Sequence, residues 1–227
     1  MPSRDDWKRS VASALRDPDT WVPAVAAVAV AAAGVDEDVS DWAREQTPLF
    51  GSAHRAETAS NELKGASHVL MLATAIPPRD AADRWTVFAL SAIEEEAIVA
   101  AVGAVTLGAK NAADRERPDA SNRASFPSGH SSGSAATGAL ARENLVRSAI
   151  PSRWHPAVRV GSRVIHGATA WARIEAGKHY PTDVLAGSAL GNLLAVTLDR
   201  AVRDGKEVTV SIAPSREGVF LDARIRF

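Results

Sequence analysis

Alanine, leucine, arginine and glutamate run through most of this chain in stretches of a dozen residues or more, and glycine and proline gather between them. Apolar residues in those stretches recur at a helical period, so the pattern confines the chain to helices. Helices are expected at roughly 6–16, 22–33, 38–46, 57–76, 80–108, 128–147, 156–174 and 181–203. The segment from Lys110 to Pro127 breaks the pattern. It is polar, carries Pro118 and Pro127, and reads as an ordered loop. The end of the chain changes period. Val208, Val210 and Ile212 alternate with Thr209 and Ser211, a turn composition follows, and Val219 to Phe227 alternate again, which predicts a β-hairpin. The expected fold is an all-α helical bundle with a C-terminal β-hairpin. The helical domain spans 1–205, with a motif core at about 85–200, and the hairpin extension spans 206–227.

Two helical stretches are long enough to raise the question of a membrane. Ala81–Ala109 holds Glu94, Glu95 and Glu96 at its middle. Three carboxylates in lipid would each cost roughly 2.5–3.5 kcal/mol, so a helix with one wet face is expected there. Val184–Val202 carries Gly187, Ser188, Gly191 and Asn192, a small-residue face suited to close packing on another helix. The Ala/Val run from Val22 to Val35 is shorter than the roughly 20 residues a span needs. MPSRDDWKRS lacks the pattern of a signal peptide. These features lead to the expectation of a soluble or peripheral protein of the bacterial cell envelope or periplasm, with no more than peripheral membrane contact.

A net charge of −1 gives no electrostatic basis for binding nucleic acid. The absence of cysteine removes thiolate nucleophiles and zinc–thiolate sites. Three polar clusters remain as carriers of chemistry. In the first, Lys110 and Arg117 stand six residues apart and can converge on one oxyanion, Arg117 as a planar fork and Lys110 as a point charge. Read alone, it is more readily a solvated charge run around Asp114, Arg115, Glu116 and Arg117. In the second, Pro127-Ser128-Gly129-His130 precedes an Ala-rich stretch and reads as a helix start, where free N–H groups favour an anion. Ser128 adds a hydroxyl, Gly129 permits close approach, and His130 can move a proton. A plain Ser/Gly cap with an incidental histidine fits as well. In the third, Arg173 precedes His179, and Asp183 follows within the first turn of a helix opened by Pro181. A carboxylate on one imidazole nitrogen leaves the other free as a nucleophile. A capping aspartate beside a surface histidine is the plainer alternative.

Taken together, the clusters resemble the PAP2 (type-2 phosphatidic acid phosphatase) superfamily, which also contains bacterial acid phosphatases and vanadium haloperoxidases. Its motifs K-x6-RP, PSGH and SR-x5-H-x3-D are matched in order by Lys110–Pro118, Pro127–His130 and Arg173–Asp183, except that Ala172 stands where serine is usual. The resemblance implies a PAP2/haloperoxidase-like helical bundle and a phosphatase working without metal or other cofactor. It implies His179 as nucleophile, Asp183 as its orienting partner and His130 as general acid and then base. Lys110, Arg117, Ser128, Gly129 and Arg173 would hold the phosphoryl oxygens. The substrate implied is a phosphate monoester or pyrophosphate, lipid or small and soluble. The competing readings are a vanadium-dependent haloperoxidase and a catalytically inactive anion-binding protein. Arg115, beside the phosphate arginine, is a further candidate substrate contact. His54, His68, His155 and His166 read as surface or satisfied core histidines.

Overall fold

The computed structural model describes residues 2–81 and 83–203 in full, and the backbone alone of 204, 207–215 and 218–226. Among them the helices are α1 (Arg4–Arg16), α2 (Pro18–Ala33), α3 (Asp36–Gln46), α4 (Ala53–Thr74), α5 (Arg84–Ala113), α6 (Gly129–Asn144), α7 (His155–Glu175) and α8 (Pro181–Asp204). Strands β1 (Glu207–Ser215) and β2 (Gly218–Arg226) pair antiparallel, Glu207 opposite Arg226 and Ser215 opposite Gly218. The side chains of the hairpin, and with them its expected apolar alternation, lie outside the described residues.

Local chemistry sets the helix starts. Ser3 and Asp6 form a reciprocal capping box on α1. Asp17 caps α2, which opens on Pro18 at a position whose N–H would be unbonded in any case. α2 therefore starts before the residue expected, and Pro23 sits inside it. α5 also runs further than expected, so Lys110 belongs to its last turn rather than to the loop. There its cation complements the negative end of the helix.

The core is built around α6, in which Ser131, Ser132 and all residues from Ser134 to Ala141 are buried. Leu140 and Ala136 pack with Met71 of α4, Val102 of α5, and Ala195 and Val196 of α8. The small-residue face expected on α8 lies directly on the start of α6. A Cβ added to Gly187 would fall 2.5 Å from the Ser128 carbonyl oxygen, and one added to Gly191 would fall 2.1 Å from that of Ser132. Main chain thus meets main chain at both points. Gly191→Ala should cost about 1–3 kcal/mol or more by overpacking and lower Tm by several degrees. Thermal denaturation of the variant checks this, and an unchanged Tm would mean that the helices separate without cost.

At the other end of the bundle, one expectation needs correction. Glu96 is exposed, but Glu95 turns into the core with no exposed surface. Arg203 Nη2 donates to Glu95 Oε1 at 3.1 Å. Burial pushes the Glu95 carboxyl up to about 7, against the pull of Asn144 and Arg203. The glutamate triplet is therefore not one wet face, because a cation from α8 makes room for one of its members inside.

Candidate active site

The eight residues singled out by sequence gather at one end of the bundle. Lys110 comes from the end of α5, Arg117 from the following loop and Ser128 to His130 from the start of α6. Arg173 comes from the last turn of α7, and His179 and Asp183 lie at and before the start of α8. Gly177 adopts φ 67°, a left-handed turn that reverses the chain between Arg173 and His179. The Ser128 N–H donates to the Asp183 carbonyl at 2.9 Å, tying the two helix starts together.

His179 is 1% exposed. Its Nδ1 lies 3.7 Å from Asp183 Oδ2, beyond hydrogen-bond reach, and has no hydrogen-bond partner among the described residues. This orientation leaves Nε2 as the nitrogen not committed to the carboxylate. Burial, with the cations of Lys110 and Arg173, holds the imidazole down at about 4 in spite of Asp183. It is therefore neutral near pH 7, as a nucleophile must be. Asp183 is fully buried and held on every side. Arg115 Nη1 donates to Oδ1 at 2.8 Å, while the Ser125 hydroxyl and the Tyr180 N–H donate to Oδ2. Burial alone would raise this carboxyl, but those donors and His179 keep it below the ordinary carboxylate range.

The cations form a cradle. Arg173 is 4% exposed and donates through Nη1 to Ser60 at 3.2 Å. The Nε atoms of both Arg117 and Arg173 are buried with no hydrogen-bond partner among the described residues. Burial and the charge of Arg117 bring Arg173 down to about 10. Burial and the same arginine bring Lys110 down to about 8. Like charges held together and short of donors' partners are what a bound oxyanion would satisfy. Ser128 accepts from the Ser131 N–H and hydroxyl, at 3.3 Å and 3.2 Å, as the cap of α6. Gly129 follows as the first helical residue, so its amide belongs to the free N–H groups of the helix start. His130 pairs through Nε2 with Asn61 Oδ1 at 2.7 Å. Burial, followed by Arg173, Lys64, His179 and Arg117, depresses it to about 3. Ala172 is fully buried, so no hydroxyl stands beside Arg173 there.

Several contributors escaped the sequence reading. Arg115 does not face the cradle as a free substrate contact. It spans Asp183 and Asp36, with Nη2 2.7 Å from Asp36 Oδ2, and lies 4.0 Å over the Tyr180 ring. Asp36 also accepts from the Thr182 N–H at 2.8 Å. Ser60 and Asn61 reach the site from α4. The loop is pinned by Lys178 to Asp119 at 2.9 Å, by Arg44 to the Pro118 carbonyl at 2.9 Å, and by Lys110 to the Ala124 carbonyl at 2.7 Å. A pairing with α3 or α4 leaves no mark in the local spacing of the motifs, and only Ser125, next to the second cluster, stood close enough to be suspected.

Residues 96–205 match the model of the PAP2 superfamily. No curated protein matches the chain. Among solved structures, it is similar to a transmembrane PAP2-type phosphatidylglycerolphosphate phosphatase from Bacillus subtilis, with 23% identity and a TM-score of 0.58. The match covers 79% of this chain and 91% of that one. At that identity the likeness is one of fold. It overturns the expectation of a soluble or peripheral envelope protein. That expectation weighed each apolar run by itself, whereas this arrangement of helices is also built by a transmembrane protein. Among the described residues no helix is long and apolar enough to cross a membrane, although α2 turns Trp21, Val22, Val25 and Val28 outward.

Proposed function

We propose that this chain, whose residues 96–205 match the PAP2 superfamily model, is a phosphatase-type hydrolase that cleaves phosphate monoesters or pyrophosphates through a phosphohistidine, without a metal. The observation that carries this reading is His179 buried with Nδ1 toward Asp183 and within the field of Lys110 and Arg173. In the first step Nε2 of His179 bonds to phosphorus and the P–O bond to the leaving group breaks. The Nδ1–H of the ring turns toward Asp183, which stabilises the positive charge that develops. The present 3.7 Å separation closes on binding, as catalytic hydrogen bonds often do. His130, held neutral by burial and the surrounding cations, takes up a proton as the substrate's anion offsets those cations, gives it to the departing oxygen, then takes one from the water that releases phosphate. Lys110, Arg117, Arg173, Ser128 and the Gly129 amide hold the three phosphoryl oxygens and stabilise the charge they gain. The Bacillus subtilis protein is a phosphatidylglycerolphosphate phosphatase, which supports including lipid phosphates among the substrates.

The test is hydrolysis of an aryl phosphate by the purified chain. Activity should survive EDTA and fall with orthovanadate, whose five-coordinate form resembles the transferring phosphoryl group. Complete loss on chelation, restored by a divalent ion, would overturn the reading. Peroxide-dependent halide oxidation with added vanadate, in place of ester hydrolysis, would replace it with the haloperoxidase alternative.

A further inference from the structure

A groove of about 280 Å³ opens at the hydrogen bond between Asn61 and His130, lined by Asn61, Lys64, Gly65, Val99, Gly133 and Thr137, with His68 alongside. α4 supplies one wall and α6 the other. His130 is hydrogen-bonded to Asn61 of the groove lining, and the proposed mechanism gives His130 the leaving oxygen. Whatever that oxygen carries has this groove beside it.

Among the described residues Lys64 is the one lysine or arginine that lines the groove, and no acid answers it. Lys8 approaches Asp5, Lys178 bonds Asp119 and approaches Glu57, and Lys110 donates to the Ala124 carbonyl. Glu96, the carboxylate at the far side, is taken up by His68 at 2.6 Å. Among the described residues Lys64 has no hydrogen bond and no ion pair, and its stem lies close against Gly133. A Cβ on Gly133 would fall 3.1 Å from its Cε and 3.8 Å from its Nζ. The lysine therefore lies across bare backbone one turn beyond His130, and its charge is felt there. A side chain at Gly133 would make the end of the lysine give way by a few tenths of an ångström. Asn61, one turn earlier on the same face of α4, is the residue that touches His130.

Resting on the phosphatase reading, we infer that Lys64 is a specificity-determining residue that selects substrates whose leaving group carries a second anionic group. The cradle already answers the transferred phosphoryl group with Lys110, Arg117 and Arg173. A further ammonium on the leaving-group side has no task in holding that group. It does suit a phosphate on the other side of the scissile bond. The second phosphate can be joined directly, as in a diphosphate, or across a short carbon chain, as in a bisphosphate. Lys64 belongs to α4, outside the segment matched by the superfamily model.

Three substrates test this: propyl phosphate, 1,3-propanediol bisphosphate and inorganic pyrophosphate. The first two differ only in the second phosphate. Lys64→Gln should lower kcat/KM about ten-fold on the bisphosphate, on pyrophosphate or on both, as expected for losing a charged hydrogen bond. Propyl phosphate should change less than about two-fold. Lys64→Glu should deepen the loss and Lys64→Arg should largely restore it. The arm that responds fixes where the second anion sits. Equal loss on propyl phosphate would make Lys64 part of the general field of the cradle, and no loss on any arm would make it a surface lysine; either result overturns the inference while leaving the phosphatase reading intact. A wild-type chain that hydrolyses none of the three would bring down that reading and the inference with it.

Discussion

His179→Ala should abolish phosphoryl transfer from every substrate, together with the acid-labile phosphoenzyme. On the proposed mechanism its ring nitrogen is the atom that bonds to phosphorus, and no other residue is assigned that bond. His130→Ala should instead sort substrates by leaving group. An alkoxide leaves poorly and depends on general-acid help, a contribution of roughly 10²–10⁴-fold. A nitrophenolate leaves well without a proton. His130→Ala should therefore cripple alkyl phosphates and spare much of phosphoenzyme formation from p-nitrophenyl phosphate. Single-turnover rates are the measure, because His130 also serves the water step that steady-state rates include. Acid pH should also silence the wild type in a defined sense. His179 must be neutral to attack, so kcat/KM should fall as pH drops through about 4. Equal losses for His130→Ala on both substrates would make it a phosphate ligand only. Phosphoenzyme persisting in His179→Ala would place the nucleophile elsewhere.

Arg117→Ala and Arg173→Ala should each lower kcat/KM roughly 10²-fold or more, the loss expected when one donor to transition-state charge is removed. The structure adds a second signature. Arg173 is buried and its guanidinium is pushed down by Arg117, so each of the pair is held against the other. Removing either should leave Tm unchanged or raise it. Arg115→Ala should do the reverse. It leaves the cradle intact but strips the cation from fully buried Asp183 and from Asp36. Tm should drop, and kcat should fall with little change in KM as Asp183 loses its setting. On sequence grounds Arg115 is the milder substitution. Its ion pairs make it mild for binding and costly for the fold. Thermal melts and steady-state kinetics on the three variants separate these roles, and a lower Tm for both cradle variants would show that the cradle stabilises the fold.

The helices were legible because their apolar periods, caps and breakers are local. Asp17-Pro18 and the Ser3–Asp6 box illustrate how little beyond neighbouring residues a helix start requires. α2 was expected from residue 22, whereas Asp17 and Pro18 begin it four residues earlier. The motif residues were legible because their spacing within each cluster is short. What escaped were the pairings made by fold alone. Asp36 reaches Arg115 and Thr182 from α3, Asn61 reaches His130 from α4, and Arg203 reaches Glu95 across the bundle. Each joins a charge or amide to a partner far along the chain, where no period or spacing connects them. The bilayer question failed for a related reason, because single-helix hydropathy does not register how a set of helices is used.

The contact of α8 with the start of α6 has a bearing on how such a chain could acquire new substrates. Gly187 and Gly191 meet carbonyls of α6 with no side chain between, so the spacing of the motif on α6 from the motif on α8 has no adjustable part. A larger or smaller apolar residue elsewhere in the bundle can be absorbed by its neighbours, but at this joint every replacement for hydrogen is an obstruction. Change is then channelled into the helices that lean on the joint from outside, α3 with Asp36 and α4 with Asn61 and Lys64. The joint between the two motifs thereby keeps its geometry while the helices around it change, although Asp36 and Asn61 on those helices touch Arg115 and His130 and so tie part of them to the reaction.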